Sequence, residues 1–548
     1  MKGFIISHSS RTIGETSTVW LYGRLENGES FVTINEYTPY FYIEKSDLKK
    51  ALKIEKIDYE ETNFKNFNEQ QVVKVLTKTT KEVPILRSEL EHSGIETYEA
   101  DIKFVNRFLI DNKIRGAIEI EGDYEVEETV DRVYHNPKIK PANYFPKNLK
   151  ILSIDIESDK KAKKIYCISL CSDNYNKTLI VSDKKNNGAV HFKDEEDLLD
   201  AFKQEIDDFD PDIITGWNVI NFDLKFIRDK FKEYNIPFSL GRDNKTSKLK
   251  IESDFFRTSK AEISGRIVLD GLDLVRGSFL KLDNYKLDTA AHEILGKGKL
   301  VLTEGIDKGD EIERLFSEDQ DTLIEYNLLD ARLVCDILIK QGLVELAIER
   351  ALLTGMTLDR VNATIASLDY LYILWAREKN LVCPTSKHLE RSERIKGGYV
   401  MDSIPGIYDN VLVLDFKSLY PSIIRTFNID PYAYLEKKEK DSIESPNKAY
   451  FSRKEGILPQ IIENLWQARE KARKEKNELA RYAIKILMNS FFGAMANPSC
   501  RFYNINIANS ITHFGQELIK QTANLVKKEG YEVIYSDTDS VINWNPIT

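Results

Sequence analysis

A chain of 548 residues is long enough for three to five domains at roughly 100 to 200 residues each, so one compact fold is not expected. Hydrophobic residues at 42% and charged residues at 30% give the balance of a globular protein and exclude a disordered or collagen-like chain. No run approaches the ~18 consecutive apolar residues of a spanning helix, and MKGFIISHSSRT lacks the apolar core of a signal peptide, so a cytoplasmic protein without membrane partners is expected.

The five cysteines, Cys167, Cys171, Cys335, Cys383 and Cys500, are scattered and lack zinc spacing, which reads as plain buried thiols. A net charge of −10 argues against a broad phosphate-binding surface. An enzyme that holds metal ions nevertheless carries uncompensated carboxylates, so local charge matters more than the total. From Arg469 to Lys485 seven basic residues face three acidic ones, a local net of +4.

In chain order, the first ~130 residues alternate short apolar strands such as TVWLYGRL and SFVTINEY with charged helical stretches. KILSIDIES, IYCISLCS and TLIVSD then read as strands, followed by PDIITGWN and the helix FDLKFIRDKFKEY, an α/β layer. Helical segments LVELAIERALLTG and SLDYLYILWAREK lead to the strand VLVL, which turns at Pro421. A charged helical region follows, and EVIYSDTDSVINW closes the chain as a hairpin. The terminal strand VINW is expected to present an open sheet edge.

Two carboxylate sets stand out. In ILSIDIES, Asp155 and Glu157 lie two residues apart and share a face of the strand. Side by side they repel each other, a cost that a divalent cation relieves. Asp223 lies at a strand-to-helix junction, and Asp330 follows Tyr326 by four residues on one helix face. Four acids from three segments suit a pair of metals ~3.5 to 4 Å apart that activates a water for phosphoryl displacement. Taken singly, Asp155 and Glu157 also fit an exposed edge-strand pair, and Asp330 a solvated helix position. The second set is Asp415, at the end of VLVL, with Asp537 and Asp539 at a hairpin tip; DTD alone also fits an ordinary β-turn. Between them, Lys485 and Asn489 share a helix face, as do Arg469 and Arg473 on the preceding helix. Such cations suit a triphosphate, although Lys471, Lys474 and Lys476 fit a solvated face.

The order and spacing of these segments resemble the three exonuclease and three polymerase motifs of the family B DNA polymerases. YEADIKFVNRFLID is similar to a segment of archaeal members, and IKGGYV resembles the linker that precedes the palm. The resemblance implies an α/β and α+β multidomain fold: an RNase H-like exonuclease domain plus a right-hand palm and fingers, with the thumb absent. It implies an N-terminal domain over 1–130 with packing helices from 345–392, an exonuclease domain over 131–344, palm over 393–438 and 501–548, and fingers over 439–500.

The implied activity is template-directed DNA synthesis with 3′–5′ proofreading, at the nucleoid. Asp155, Glu157, Asp223 and Asp330 are implied to ligate two Mg2+ ions, Tyr326 to orient the attacking water, and Asn218 and Phe222 to contact the strand end. Asp415 and Asp539, with Phe416, are implied to hold two further Mg2+ ions, Mn2+ being a substitute, and Asp537 is the adjacent acid. Arg469, Arg473, Lys485, Asn489, Leu419 and Ser418 belong to nucleotide binding. Tyr420 lies under the sugar, where a ribonucleotide's 2′-hydroxyl would clash. Gly397, Gly398, Tyr399 and Gly493 are implied DNA contacts. Ile395 stands where the family's linker has an aromatic, and in NSFFG Phe492 stands where the family usually has Tyr. The chain stops at Thr548, nine residues after Asp539, which resembles the large subunit of a two-polypeptide enzyme needing a small thumb subunit. Primer-template DNA, deoxynucleoside triphosphates, that subunit and a sliding clamp are the expected partners. The alternative is a chain that works mainly as a 3′–5′ exonuclease.

Overall fold

Period-two alternation in Ile151–Ser158 sends Leu152, Ile154 and Ile156 to one face of a sheet and Ser153, Asp155 and Glu157 to the other. This strand sits within a computed structural model that describes residues 1–184, 188–252, 259–278, 280–300, 307–387 and 395–545. The predicted boundary at 392/393 and the terminal Thr548 lie outside them. The chain forms two compact units, one of residues 1–37, 112–352 and 356–362, the other of 38–111, 353–355 and 363–548.

The first unit carries two six-stranded sheets. One is built on the long hairpin Lys2–Ile13 and Thr16–Leu25. The other comprises β1 (Ile151–Ser158), β2 (Ile165–Ser172), β3 (Tyr175–Val181), β4 (Ala189–Phe192), β5 (Ile213–Gly216) and β6 (Ile267–Asp270), in the order β4-β3-β2-β1-β5-β6. β1 pairs antiparallel with β2 and parallel with β5, so it is central and its register is held on both sides. Its apolar face packs against Leu198, Leu199 and Phe202 and against α1 (Asp223–Glu233) through Leu224, Ile227 and Phe231. Over the opposite side lies α2 (Gln320–Gln341), whose Leu323, Ile324 and Tyr326 pack with Cys167 of β2 and Ile180 of β3. A buried ionic cluster closes the end of this layer: the Arg24 and Arg242 guanidinium groups reach Asp212 at 2.8 and 2.7 Å, all three with at most 1% of the side chain exposed.

In the second unit, β7 (Val400–Met401), β8 (Val411–Asp415), β9 (Glu532–Asp537) and β10 (Ser540–Trp544) form an antiparallel sheet ordered β7-β9-β10-β8. The expected hairpin of EVIY and VINW is present, but VINW is not an edge. It is paired on both sides, to β9 and to β8, and the edges are β7 and β8. Helices α3 (Leu419–Thr426), α4 (Ile457–Lys474), α5 (Glu478–Met495) and α6 (Ile505–Lys528) accompany the sheet. Asp430, fully buried, anchors α4 by accepting from the Leu458 amide at 2.7 Å while Tyr372 donates its hydroxyl at 3.0 Å. An N-terminal sheet of Tyr40–Glu44, Asp58–Lys65, Gln71–Leu76 and Thr97–Tyr98 belongs to the same unit. The five cysteines are buried and unbridged. Among the described residues no helix is long and apolar enough to cross a membrane.

Candidate active sites

β1 and α2 bring three acids together: ligand oxygens of Asp155, Glu157 and Asp330 all lie within 4.8 Å of one another. Asp223, the first residue of α1, is 3% exposed and accepts from the Ile156 amide at 3.2 Å, which holds it against the same strand. Burial drives the Asp155 and Asp223 carboxyls well above the ordinary range, and for Asp155 the neighbouring Asp223, Asp330 and Glu157 add to it. Glu157 is also raised, by burial, with Lys308 opposing. The donor set, all hard carboxylate oxygens with mutual repulsion to relieve, fits divalent cations. A buried Oδ1 of Asp330 without a hydrogen-bond partner fits them too.

Residues that the sequence did not single out complete this site. Lys299 forms an ion pair with Asp330, and the Lys308 ammonium lies 3.6 Å from Glu157. Burial works against the Lys299 charge, but the charge and hydrogen bond of Asp330 together with Tyr326 leave the ammonium raised. Both ammoniums also stand over the ring of the buried Tyr326, at 5.5 and 5.3 Å from its centroid. Asn327 donates to Asp155 Oδ2 at 2.7 Å. The Asn218 backbone is left-handed, φ 61°, and its amide donates to Asp270 Oδ1 at 3.0 Å. Asp270, pushed up to about 6 chiefly by burial, caps the helix that begins at Gly271. Phe222 is 47% exposed at the start of α1, an apolar ring left in solvent beside Asp223.

The second set surrounds a cavity of about 450 Å3. Asp415, Thr538 and Asp539 supply one part of its lining, Ser418, Leu419 and Tyr420 another, and Arg469, Lys485 and Asn489 a third. β8 ends in Asp415, which pairs across the ladder with Ser540, so strand pairing sets the acid beside the Asp537–Asp539 turn. Burial, then Asp415, raises the Asp539 carboxyl. Asp537 does not line the cavity: Thr538 donates to its Oδ1 at 2.9 Å and Tyr535 to its Oδ2 at 3.4 Å. Phe416 donates its amide to the Asp539 carbonyl at 2.8 Å and packs its ring against Ile519 and Val541.

Arg469 donates to Ser418 Oγ at 3.1 Å, and Ser418 is left-handed, φ 56°, at the start of α3. Burial and the neighbouring Arg481 lower the Arg469 guanidinium. Arg473 is not in the lining. It pairs with Glu470 at 2.7 Å, and the same Glu470 holds Lys417 at 2.9 Å, so an acid one turn away competes for the cations that the helix spacing assigned to phosphate. The Tyr420 ring stacks obliquely on Phe492, centroids 4.7 Å apart, and a Cβ on Gly515 would come within 3.3 Å of it.

The glycine linker closes on the acidic turn. Tyr399 O accepts from the Thr538 amide at 2.9 Å, and a Cβ on Gly398 would lie 2.5 Å from Thr538 Oγ1. Gln516 of α6 donates to the Gly397 carbonyl at 2.7 Å. Thr538 itself is left-handed, φ 50°. Gly493, by contrast, is exposed, and a Cβ there would meet nothing within 4 Å.

Residues 362–544 match the model of DNA polymerase family B, and residues 95–290 that of the DNA polymerase family B exonuclease domain. The chain is 33% identical to DNA polymerase II of Escherichia coli, over 99% of this chain and 70% of that protein. It is 28% identical to a DNA polymerase of Archaeoglobus fulgidus over the same shares. The chain thus spans about 70% of the length of these relatives. The fold is similar to that of the family B DNA polymerase from Pyrobaculum calidifontis, with a TM-score of 0.82 at 21% identity, covering 100% of this chain and 75% of that one. With Asp415 and Asp539 inside one matched segment, Asp155, Glu157 and Asp223 inside the other and Asp330 beyond it, and with a relative at this identity, the chain belongs to DNA polymerase family B.

Proposed function

We propose that the cavity between Asp415, Asp539 and Arg469, Lys485 is the nucleotidyl-transfer centre of this DNA-dependent DNA polymerase, and that the Asp155 cluster is its 3′–5′ exonuclease centre. The observation that carries the first assignment is the charge division of one 450 Å3 cavity: carboxylates on one side, an arginine and a lysine on another, an aromatic between. Asp415 and Asp539, with the main-chain carbonyl of Phe416, hold magnesium. Arg469 and Lys485 bind the triphosphate, Arg473 joins them on leaving Glu470, and Asn489, Leu419 and Ser418 contact the nucleotide. Tyr420, braced by Phe492, occupies the volume a 2′-hydroxyl would need. Asp537 is assigned to fixing the turn through Tyr535 and Thr538.

In the exonuclease, Asp155, Glu157, Asp223 and Asp330 take two magnesium ions, for which manganese substitutes. When bound, such ions lower the pKa of a water and neutralise the phosphate. Tyr326 orients that water, and Asn218 and the exposed Phe222 receive the strand end. Lys299 and Lys308 balance the acids until cations arrive. Gly397, Gly398 and Tyr399 bind the template backbone beside the acidic turn, and Gly493 lies open to it. In this reading 393–438 and 501–548 act as palm, 439–500 as fingers, 1–130 with 345–392 as the N-terminal domain, and 131–344 as the editing domain.

We further propose that duplex affinity is completed by a thumb-like surface seated near β8, whose Val411 to Leu414 are 38 to 62% exposed. Primer extension and 3′ excision by the parent, Asp415→Ala and Asp155→Ala test the assignments. Extension lost only in the first, and excision only in the second, is the expected pattern; either activity surviving its own substitution overturns that centre. Robust, processive extension by residues 1–548 alone overturns the need for such a surface.

A further inference from the structure

Asn327 sits between Tyr326 and Asp330 on α2, outside the spacing that marks those two residues, and it is fully buried. An amide is a poor space-filler for a core position, because each polar atom left unpaired there costs its full desolvation. The amide group spends its donor on Asp155 Oδ2, at 2.7 Å. That is the one side-chain hydrogen bond to the Asp155 carboxylate among the described residues. Its own Oδ1 is buried with no donor, an unmet acceptor next to the acids.

From this geometry we infer that Asn327 is a positioning residue of the exonuclease centre: it ties up one Asp155 oxygen and leaves the other free to meet a divalent cation. The inference rests on the reading of Asp155, Glu157 and Asp330 as the metal set. The contrast with the two lysines carries it further. Lys299 and Lys308 neutralise Asp330 and Glu157 by charge, so a cation entering the cluster repels them. The Asn327 amide is neutral and keeps its bond whether or not a cation is present. Hydrogen bonds from such outer partners to ligating side chains fix ligand orientation, and losing one costs 10- to 100-fold in metal affinity or activity. The free Oδ1 suits a water in the site, which would satisfy an atom the protein leaves unpaired.

Four proteins decide it: the parent, Asn327→Ala, Asn327→Leu and Asp155→Ala, each also carrying Asp415→Ala and Asp539→Ala to silence the other centre. Mn2+ binding is followed by electron paramagnetic resonance, the Mg2+ concentration for half-maximal 3′ excision is measured, and thermal melting reports folding. Leu keeps the branched heavy-atom skeleton of Asn, with bulkier ends, and lacks the donor, so it separates loss of the hydrogen bond from loss of side-chain packing and keeps the test alive where Ala creates a cavity. Both Asn327 variants should weaken Mn2+ binding and raise the Mg2+ requirement by about 10- to 100-fold, with KM for the DNA strand unchanged. Parental Mn2+ affinity in Asn327→Leu would show that the amide only fills space and would overturn the inference. Asp155→Ala tells that failure from the failure of the metal assignment: if it also keeps parental Mn2+ affinity, the carboxylate set itself is misassigned.

Discussion

At the scale of single residues, function depends on which neighbour competes for a side chain. Tyr420 has its ring braced by Phe492 and a glycine behind it. Tyr420→Ala should therefore open the space a 2′-hydroxyl needs and raise ribonucleotide incorporation by about 10- to 200-fold, read as the ratio of kcat/KM values for the two sugars. Glu470 holds Lys417 and Arg473 on a half-exposed surface, where ion pairs are worth about 0 to 1 kcal/mol. Glu470→Gln should thus lower KM for the incoming nucleotide by up to about fivefold and leave kcat unchanged in single-nucleotide extension. Gly398 has no room for a methyl group against the short, branched Thr538. Gly398→Ala should shift the acidic turn and slow extension by about 10-fold or more, with 3′ excision unaffected. The metal acids were legible in the sequence because their spacing obeys strand and helix periods. Asn327 was not, since one amide inside an apolar helix carries no periodic signal, and the Arg473–Glu470 pairing was not, because helix spacing reports a shared face but not the acid one turn away.

Secondary-structure elements explain how the acids tolerate each other. Asp155 and Glu157 share one face of β1, which is held on both sides, so neither acid can turn away from the other and repulsion is absorbed by protonation or by cations. Asp155, Glu157 and Asp223 are all raised in the folded state. An acid raised on folding stabilises the fold below its unfolded pKa, about 4, and that stability is lost as pH rises through the higher folded value. In EDTA, therefore, melting temperature should fall as pH rises above about 4. Saturating Mg2+ should remove or reverse the slope, because cations bind the deprotonated acids. A flat profile in EDTA would contradict the mutual burial of these groups. Hairpin β9–β10 was readable from its turn flanked by apolar strands, as were α4 and α5. The third partner, β8, was not: its pairing spans more than 100 residues, and local pattern names a strand without naming its neighbour.

For the molecule as a whole, two centres in one chain need separate supports. Asp212 lies beneath the Arg24 and Arg242 guanidinium groups in the first unit. Asp212→Ala leaves Arg24 and Arg242 to share Asp210 with Arg266, one carboxylate for three buried guanidinium groups, which should cost about 3 to 5 kcal/mol in denaturant unfolding of that unit. The polymerase sheet has a different dependence, one of timing. Asp415 meets Ser540 across the β8–β10 ladder, so the strand that carries the first acid waits for 125 more residues before its partner exists. At roughly 5 to 20 residues per second of synthesis, that interval is on the order of 6 to 25 s. Throughout it, Val411, Leu412, Val413 and Leu414 are a nascent apolar strand with no ladder to join, a ready client for a ribosome-associated chaperone. The polymerase sheet can be completed only once β10 has been made and pairs with both neighbours.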